Sequence, residues 1–157
     1  MRLDLAMTLL SISMAAPSAV DRPAAPAIIG DYWTEDREGI ARIFRDDDGL
    51  IHGELVWTKE KDATDTENPK KELRDRPLRG LVFLSDFRFN GKDKYVGGRV
   101  YAPDNGTTYR GHMKLEGEDR LLLRGFVGIS LFGRTATWIR VKAEDYPDGV
   151  ALEPVAR

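Results

Sequence analysis

The sequence predicts an all-β domain: an antiparallel, up-and-down barrel of about eight strands with a short helical loop insertion. Three observations support this prediction. Strand-like segments follow one another from Gly30 to Lys142, Gly-containing turns separate them at short intervals, and their apolar and polar residues alternate. A long antiparallel meander leaves exposed edges unless it closes on itself, and about eight strands close a barrel that holds side chains or one small ligand.

The segments that fit strands span residues 30–33, 39–45, 50–57, 80–87, 94–101, 107–116, 120–127 and 134–142. The clearest alternation is in the segment 107–116, where apolar side chains occupy every second position towards its end and indicate one buried face. The segment at 80–87 is almost continuously apolar, so we expect that both of its faces are covered or that it bends.

The turns between these segments carry the residues that tight hairpins need. Asp48-Gly49, Asn90-Gly91, Asn105-Gly106 and Glu116-Gly117 each end in glycine, which adopts a positive φ without strain. Each hairpin places two neighbouring strands antiparallel. Within a strand segment, the paired Gly97-Gly98 indicates a bulge or a sharp bend.

Residues 58–78 interrupt the β pattern with a long polar stretch. Asn68 and Pro69 are placed to begin one or two helical turns over residues 70–76, with Asn68 as the cap. Long ordered loops in compact domains are often functional, and a solvated charged loop is the alternative.

Composition argues against several classes of function. A net charge of -2 gives no reason to expect a nucleic-acid partner, and the absence of cysteine removes disulfides, thiolate nucleophiles and cysteine-ligated zinc. The run Asp46-Asp47-Asp48 lacks the alternating ligands of a calcium loop, so we interpret it as a solvated turn. Because no catalytic arrangement is recognisable, we expect no cofactor, no metal ion and no enzymatic activity; a hydrolytic enzyme is the least favoured alternative.

The amino terminus resembles a secretory signal. Arg2 precedes a short apolar run and then small residues, and the run is too short and too interrupted by Ser and Thr to span a bilayer. We therefore expect a signal peptide at 1–19, a flexible leader at 20–28, the barrel domain at 29–143 and a C-terminal tail at 144–157. Cleavage after Ala16 or Ala27 remains an alternative, and the predicted location is the periplasm or the extracellular medium.

Three blocks of sequence resemble a known family: Asn68-Pro69 with Arg76 to Leu81, Gly97 to Tyr109, and Leu123 to Arg140. Together they resemble the exported bacterial proteins grouped as domain of unknown function 2147, over roughly Ile29 to Lys142. The resemblance implies a lipocalin-like (calycin) barrel and a signal peptide. Many members have a cysteine near the turn that is Asp46-Asp47-Asp48 here, so any role of that thiol is absent from this chain.

In calycins, a Trp near the start of the first strand packs under an Arg from the last strand and closes one end of the barrel. The resemblance therefore implies that Trp33 and Arg140 form this pair. The stretch from Gly30 to Trp33 is one residue longer than the Gly-x-Trp usual in that superfamily.

The function we expect is the binding of a small hydrophobic or amphipathic ligand in the mouth of the barrel. Arg99 and Arg124 are the candidates for pairing with an anionic head group. The aromatic candidates for the pocket wall are Tyr95, Tyr101, Tyr109, Phe126, Phe132 and Trp138.

Two alternatives remain open for these residues. The aromatic side chains could simply fill a narrow barrel, or the protein could be an envelope interaction module without a cavity. In the second case Leu131 and Phe132 would be exposed contact residues, because an apolar surface patch is typical of such modules. The segment from Gly128 to Gly133 fits either a mobile flap or a buried turn. The oligomeric state is not predicted.

Overall fold

The computed structural model describes residues 25–150, and within them the chain forms a closed antiparallel barrel. Each strand is hydrogen-bonded to the next in chain order, and the last pairs with the first, as the sequence predicts. The strands are β1 (Gly30–Trp33), β2 (Gly39–Arg45), β3 (Ile51–Thr58), β4 (Val82–Phe89), β5 (Tyr95–Ala102), β6 (Thr107–Glu116), β7 (Arg120–Phe126) and β8 (Gly133–Arg140).

The hairpin turns have the backbone geometry that their glycines predict. Gly49, Gly91, Gly106 and Gly117 have φ values between 63° and 80°, the left-handed region that glycine adopts readily. The seam of the barrel is its shortest ladder: β1 and β8 share two residue pairs, Tyr32↔Arg140 and Trp33↔Ile139. By comparison, β6 and β7 share seven residue pairs.

Two irregularities bend the sheet. In β4, Asp86 has a φ of +66°, and the register with β3 shifts between Gly53 and Glu54. In β5, Gly97 has a φ of +78° and the register with β6 shifts before Gly98. A Cβ on Gly98 would overlap the Phe87 ring, so only glycine lets the backbone approach this core ring so closely.

The half of the barrel interior where the chain enters β1 is filled by side chains. Tyr32, Ile43, Phe87, Tyr95 and Met113 are at most 1% exposed there. Ile28 belongs to the same core and is fully buried. The Tyr95 hydroxyl donates to the Pro26 carbonyl over 2.8 Å. Residues 26–28, which we assigned to a flexible leader, therefore form the plug of this end, and the predicted domain boundary at residue 29 is too late.

The loop from Lys59 to Leu81 is anchored by a buried carboxylate. Asp65 is fully buried and accepts hydrogen bonds from Tyr101 (2.6 Å), Asn68 (2.6 Å) and Arg76 (2.8 Å). Burial from water raises the pKa of Asp65, but the bonds from Tyr101, Asn68 and Arg76 outweigh it and hold the pKa below its ordinary value of 3.8. The insertion is therefore an ordered structure fixed to the outer face of β5.

The helical part of this loop is smaller than expected. A single 3-10 turn spans Lys71–Leu73, where one or two helical turns were predicted. Asn68 nevertheless accepts the Lys70 backbone N–H through its side-chain oxygen at 2.9 Å. Two further short 3-10 helices, Ser130–Phe132 and Ala143–Asp145, complete the helical content of the described residues. None of the helices in this part of the chain has the length and apolar character needed to cross a membrane.

A smaller apolar cluster lies outside the barrel, formed by Trp33, Ile40 and Val141 with partly buried neighbours. Beside it, Arg42 binds both carboxylate oxygens of Asp31 at 2.8–2.9 Å, and the Tyr146 hydroxyl donates to the same carboxylate at 3.0 Å. Tyr146, which belongs to the predicted C-terminal tail, is therefore docked on the barrel wall. The predicted signal peptide (1–19), the rest of the leader (20–24) and the end of the tail (151–157) lie outside the described residues.

Candidate ligand-binding cavity

A cavity of about 560 Å³ opens at the end of the barrel opposite the plug. In an up-and-down barrel, the connections β1–β2, β3–β4, β5–β6 and β7–β8 all lie at one end, and three of these four connections contribute to the cavity. Its inner wall is formed by Val100 of β5, Tyr109 of β6, Leu123 of β7, and Ala136 and Trp138 of β8. The interior is therefore filled at one end and open at the other.

Four of the predicted ligand-binding residues border this cavity: Tyr109, Phe126, Phe132 and Trp138. The Phe126 ring lies against the outer face, where its centroid is 6.0 Å from that of His112. Trp138 forms its floor, because the indole is only 4% exposed and its ring centroid lies 5.9 Å from that of Phe83. Phe132 stands at the entrance and is 76% exposed. The Tyr109 hydroxyl accepts a hydrogen bond from the Asn105 amide over 3.1 Å.

The other two aromatic candidates do not line the cavity, so placing them in the same site was wrong. Tyr95 points inward but lies in the filled half, at the plug. Tyr101 is on the outer face, where it donates to Asp65. These two residues would share a face in a regular strand, but the bulge at Gly97 lies between them and reverses the alternation.

The two arginines predicted to bind an anionic head group are also outside the cavity. Arg99 forms an ion pair of 2.5 Å with Asp86 on the barrel surface. Arg124 donates to the Ser130 carbonyl (2.8 Å), the Leu131 carbonyl (3.2 Å) and the Thr135 hydroxyl (2.9 Å). Its guanidinium therefore fixes the β7–β8 connection, and the prediction of an anion-binding role for this pair of arginines is not supported by their placement.

The plugged end is closed by Arg140 and Tyr32, which corrects the predicted pairing with Trp33. The Arg140 guanidinium lies 4.7 Å from the centroid of the Tyr32 ring. It also donates to the carbonyls of Ala27, Ile29 and Glu118, each over 2.9 Å. A Cβ on Gly30 would overlap this guanidinium, which explains the glycine at the start of β1.

Trp33 lies on the opposite face of β1, because successive strand residues alternate between faces. Its ring contacts Trp57 edge-on at 5.6 Å, and Arg37 lies 5.2 Å from its centroid.

Burial raises the pKa of Tyr32 to about 12, so its hydroxyl remains protonated and donates to the Ile28 carbonyl at 2.9 Å.

Charged residues at the cavity mouth are mainly acidic, and the sequence analysis did not identify them. Glu35 and Asp36 come from the β1–β2 turn, and Asp104 comes from the β5–β6 turn. Arg134 pairs with Glu35 at 2.7 Å, which leaves two exposed carboxylates at the mouth without a basic partner among the described residues. The sequence does contain a clue to Glu35, Asp36 and Asp104: they lie in hairpin connections that an up-and-down barrel places at the same end.

Comparison with known proteins agrees with this architecture. The chain resembles a solved structure described as "Protein HP1028 from the human pathogen Helicobacter pylori belongs to the lipocalin family". The two are 26% identical with a TM-score of 0.68, and the match covers 76% of this chain and 86% of that one. The fold is therefore a lipocalin-like barrel. Among curated proteins, none matches this chain.

A family model described as "Uncharacterized protein conserved in bacteria (DUF2147)" matches residues 30–140. The matched region runs from the first residue of β1 to the last residue of β8, so it covers the whole barrel. The resemblance noted in the sequence is thereby confirmed. The chain belongs to the bacterial family of uncharacterised proteins known as domain of unknown function 2147.

Proposed function

We propose that this protein binds a small hydrophobic or amphipathic molecule in the open half of its barrel and has no catalytic role. The observation that carries the proposal is a cavity of about 560 Å³ walled by aromatic and aliphatic side chains. That volume lies within the roughly 300–1,000 Å³ typical of small-molecule sites. The relative from Helicobacter pylori, described as a lipocalin, supports the same function class.

The chemistry of the mouth suggests what polar group the ligand carries. Asp36 and Asp104 face the entrance without a basic partner among the described residues, and the cavity wall behind them is apolar. A carboxylate or sulfate head group would be repelled there, whereas an uncharged or cationic one would be accommodated. We therefore replace the anionic head group of the sequence-based hypothesis with a neutral or cationic one.

We also propose that the protein acts outside the cytoplasm, in the periplasm or the medium. The support is the basic, apolar and small-residue order of residues 1–19. Cleavage after Ala27 is disfavoured, because it would remove the Pro26 and Ala27 carbonyls that accept hydrogen bonds from Tyr95 and Arg140.

Filling the cavity tests the binding proposal directly. Ala136→Phe places a ring in the cavity space between the wall residues, and we expect it to abolish saturable fluorescence enhancement of the neutral probe N-phenyl-1-naphthylamine. Ile139→Phe is the matched control, because Ile139 lies on the same strand, faces outward and is 40% exposed. Binding should survive in the control. Absence of saturable binding by the wild-type protein would refute the proposal.

The acidic mouth gives a second prediction, on head-group charge. Decyltrimethylammonium should displace the probe at a concentration about 3–10-fold lower than decyl sulfate, since exposed ion pairs contribute roughly 0.2–1 kcal/mol each. The double variant Asp36→Asn/Asp104→Asn should remove this difference. Glu144→Gln, an exposed change outside the residues that line the cavity, should not. Equal displacement by both surfactants with the wild-type protein would contradict the prediction.

A further inference from the structure

The connection between β7 and β8 exposes an unusual amount of apolar surface. Val127, Ile129, Leu131 and Phe132 are 67%, 59%, 75% and 76% exposed, respectively. We refer to these four side chains as the apolar loop tip. Four such residues within six positions form a patch, and patches of this kind on soluble domains mark sites of protein or membrane interaction.

Three carbonyls near the apolar loop tip, those of Ile129, Ser130 and Leu131, accept hydrogen bonds from within the protein. The Phe132 N–H donates to the Ile129 carbonyl over 3.2 Å. Arg124 donates to the Ser130 and Leu131 carbonyls from the base of the loop. Since a free peptide group is costly to move out of water, these bonds lower the desolvation cost of moving the tip out of the aqueous phase.

The size and shape of the tip favour a lipid surface over a protein partner. A stable protein pair buries about 800 Å² on each side, spread over about 20–30 residues. The apolar loop tip offers four side chains that project from one end of the barrel, which is much less than such an interface requires. A bilayer interface needs no complementary pocket and accepts a few inserted apolar side chains.

The tip is continuous with the cavity mouth. Val127 and Phe132 belong to the exposed patch and also line the cavity, whereas Ile129 and Leu131 belong only to the patch. A bilayer in contact with the tip would therefore meet the opening of the binding site. An apolar molecule could then pass between lipid and cavity without crossing open water.

We propose that the apolar loop tip inserts into the surface of a lipid bilayer and that the cavity exchanges its ligand there; the exchange step rests on the proposed binding function. The charges near the tip set the type of surface. Among the described residues that line the mouth, the acidic Glu35, Asp36 and Asp104 outnumber the basic Arg134. Apolar insertion, and not attraction to anionic lipid, therefore drives docking, and a zwitterionic surface is sufficient.

Vesicle binding provides the test. The wild-type protein should cosediment with phosphatidylcholine vesicles, and adding anionic phosphatidylglycerol should not strengthen the binding. Ile129→Ser/Leu131→Ser should weaken it by at least about tenfold, because two apolar side chains no longer enter the interface. The matched control is Val82→Ser/Ile139→Ser, which alters two residues that are 48% and 40% exposed on the strands of the barrel wall. This control should bind vesicles like the wild type.

A second readout separates docking from ligand binding. Ile129→Ser/Leu131→Ser should take up N-phenyl-1-naphthylamine from solution like the wild type, because neither residue lines the cavity. Ala136→Phe should do the reverse and dock on vesicles without taking up the probe. Vesicle binding by a wild-type protein that takes up no probe would support docking and overturn ligand exchange.

Three outcomes would overturn docking: no cosedimentation of the wild-type protein, equal cosedimentation of the loop variant, or equal loss in the barrel-wall control. A concentration-dependent dimer that the loop variant abolishes, in a protein that ignores vesicles, would instead assign the tip to contact between two copies of the chain.

Discussion

Asp65→Ala is expected to lower the free energy of unfolding by about 3 kcal/mol. The side chain is fully buried and accepts from Tyr101, Asn68 and Arg76, so its removal takes one acceptor from each of these three side chains. The Asn68 amide keeps the Tyr101 hydroxyl as an acceptor at 3.0 Å. The Arg76 side chain is 35% exposed and can be partly hydrated in the variant, which places the loss at the lower end of the range for buried ion pairs. Urea unfolding followed by tryptophan fluorescence measures the change.

Asp75→Ala is the matched control, because Asp75 is an exposed aspartate in the same loop. We expect it to change the free energy of unfolding by less than about 0.5 kcal/mol. If both variants lost the same stability, the anchoring role of the buried carboxylate would be refuted.

The loss caused by Asp65→Ala also depends on pH. The folded state holds the pKa of Asp65 below its ordinary value of 3.8, so its stabilising contribution is complete above that value. It disappears as the pH falls through the folded-state pKa. The difference between wild type and variant should therefore be constant near neutrality and shrink below about pH 4. A difference that stays constant down to pH 2 would contradict this account.

Arg140→Met is expected to destabilise the barrel by a similar amount, about 3 kcal/mol. It removes three charged hydrogen bonds to the carbonyls of Ala27, Ile29 and Glu118, together with the contact with the Tyr32 ring. The plug then loses its attachment to β8 and keeps the hydrogen bonds from Tyr32 to Ile28 and from Tyr95 to Pro26. Thermal unfolding followed by circular dichroism detects the loss.

A double-mutant cycle identifies the aromatic partner of Arg140. Arg140→Met and Tyr32→Leu should be coupled by about 1–2 kcal/mol, since they remove the two halves of one contact. Arg140→Met and Trp33→Leu should be additive within about 0.5 kcal/mol, because Trp33 faces the other side of the sheet. Coupling to Trp33 in place of Tyr32 would restore the pairing that the family resemblance implied.

The architecture was accessible from the sequence because local signals repeat along it. Each hairpin is short, and its glycine turn and alternating residues define one antiparallel pair without knowledge of the rest of the chain. The closure of the barrel needs only that these pairs continue round to the first strand. The plug was missed because residues 26–28 resemble a linker in composition, and only the three-dimensional structure shows Ile28 in the core.

Part of the cavity wall could be predicted from the sequence. Tyr109 and Trp138 lie on regular stretches of β6 and β8, where strict alternation identifies the inward face. Tyr101 lies beyond a bulge, and one inserted residue reverses which side chains point inward. The pair Gly97-Gly98 signalled a bulge, but its effect on the face of every later residue in β5 requires the register.

The pairing at the closed end illustrates a conflict between residue type and spacing. The expected pattern was Gly-x-Trp, and Trp33 offered the right side chain one position too late. Tyr32 has the right spacing from Gly30, and strand geometry decides in its favour, since Tyr32 lies directly opposite Arg140 in the register. The position of the aromatic residue in the strand, and not its side-chain type, therefore determines which one contacts Arg140.

The two-pair seam between β1 and β8 has a consequence for how the molecule opens. With few cross-strand bonds to break, this junction is where transient local unfolding costs least, and amide hydrogen exchange should be fastest there among the strands. Trp138 and Arg134 of the cavity wall belong to the strand at that junction. Parting of these two strands would widen the binding site from its side, so a bulky guest could enter without rearrangement of the six other strands.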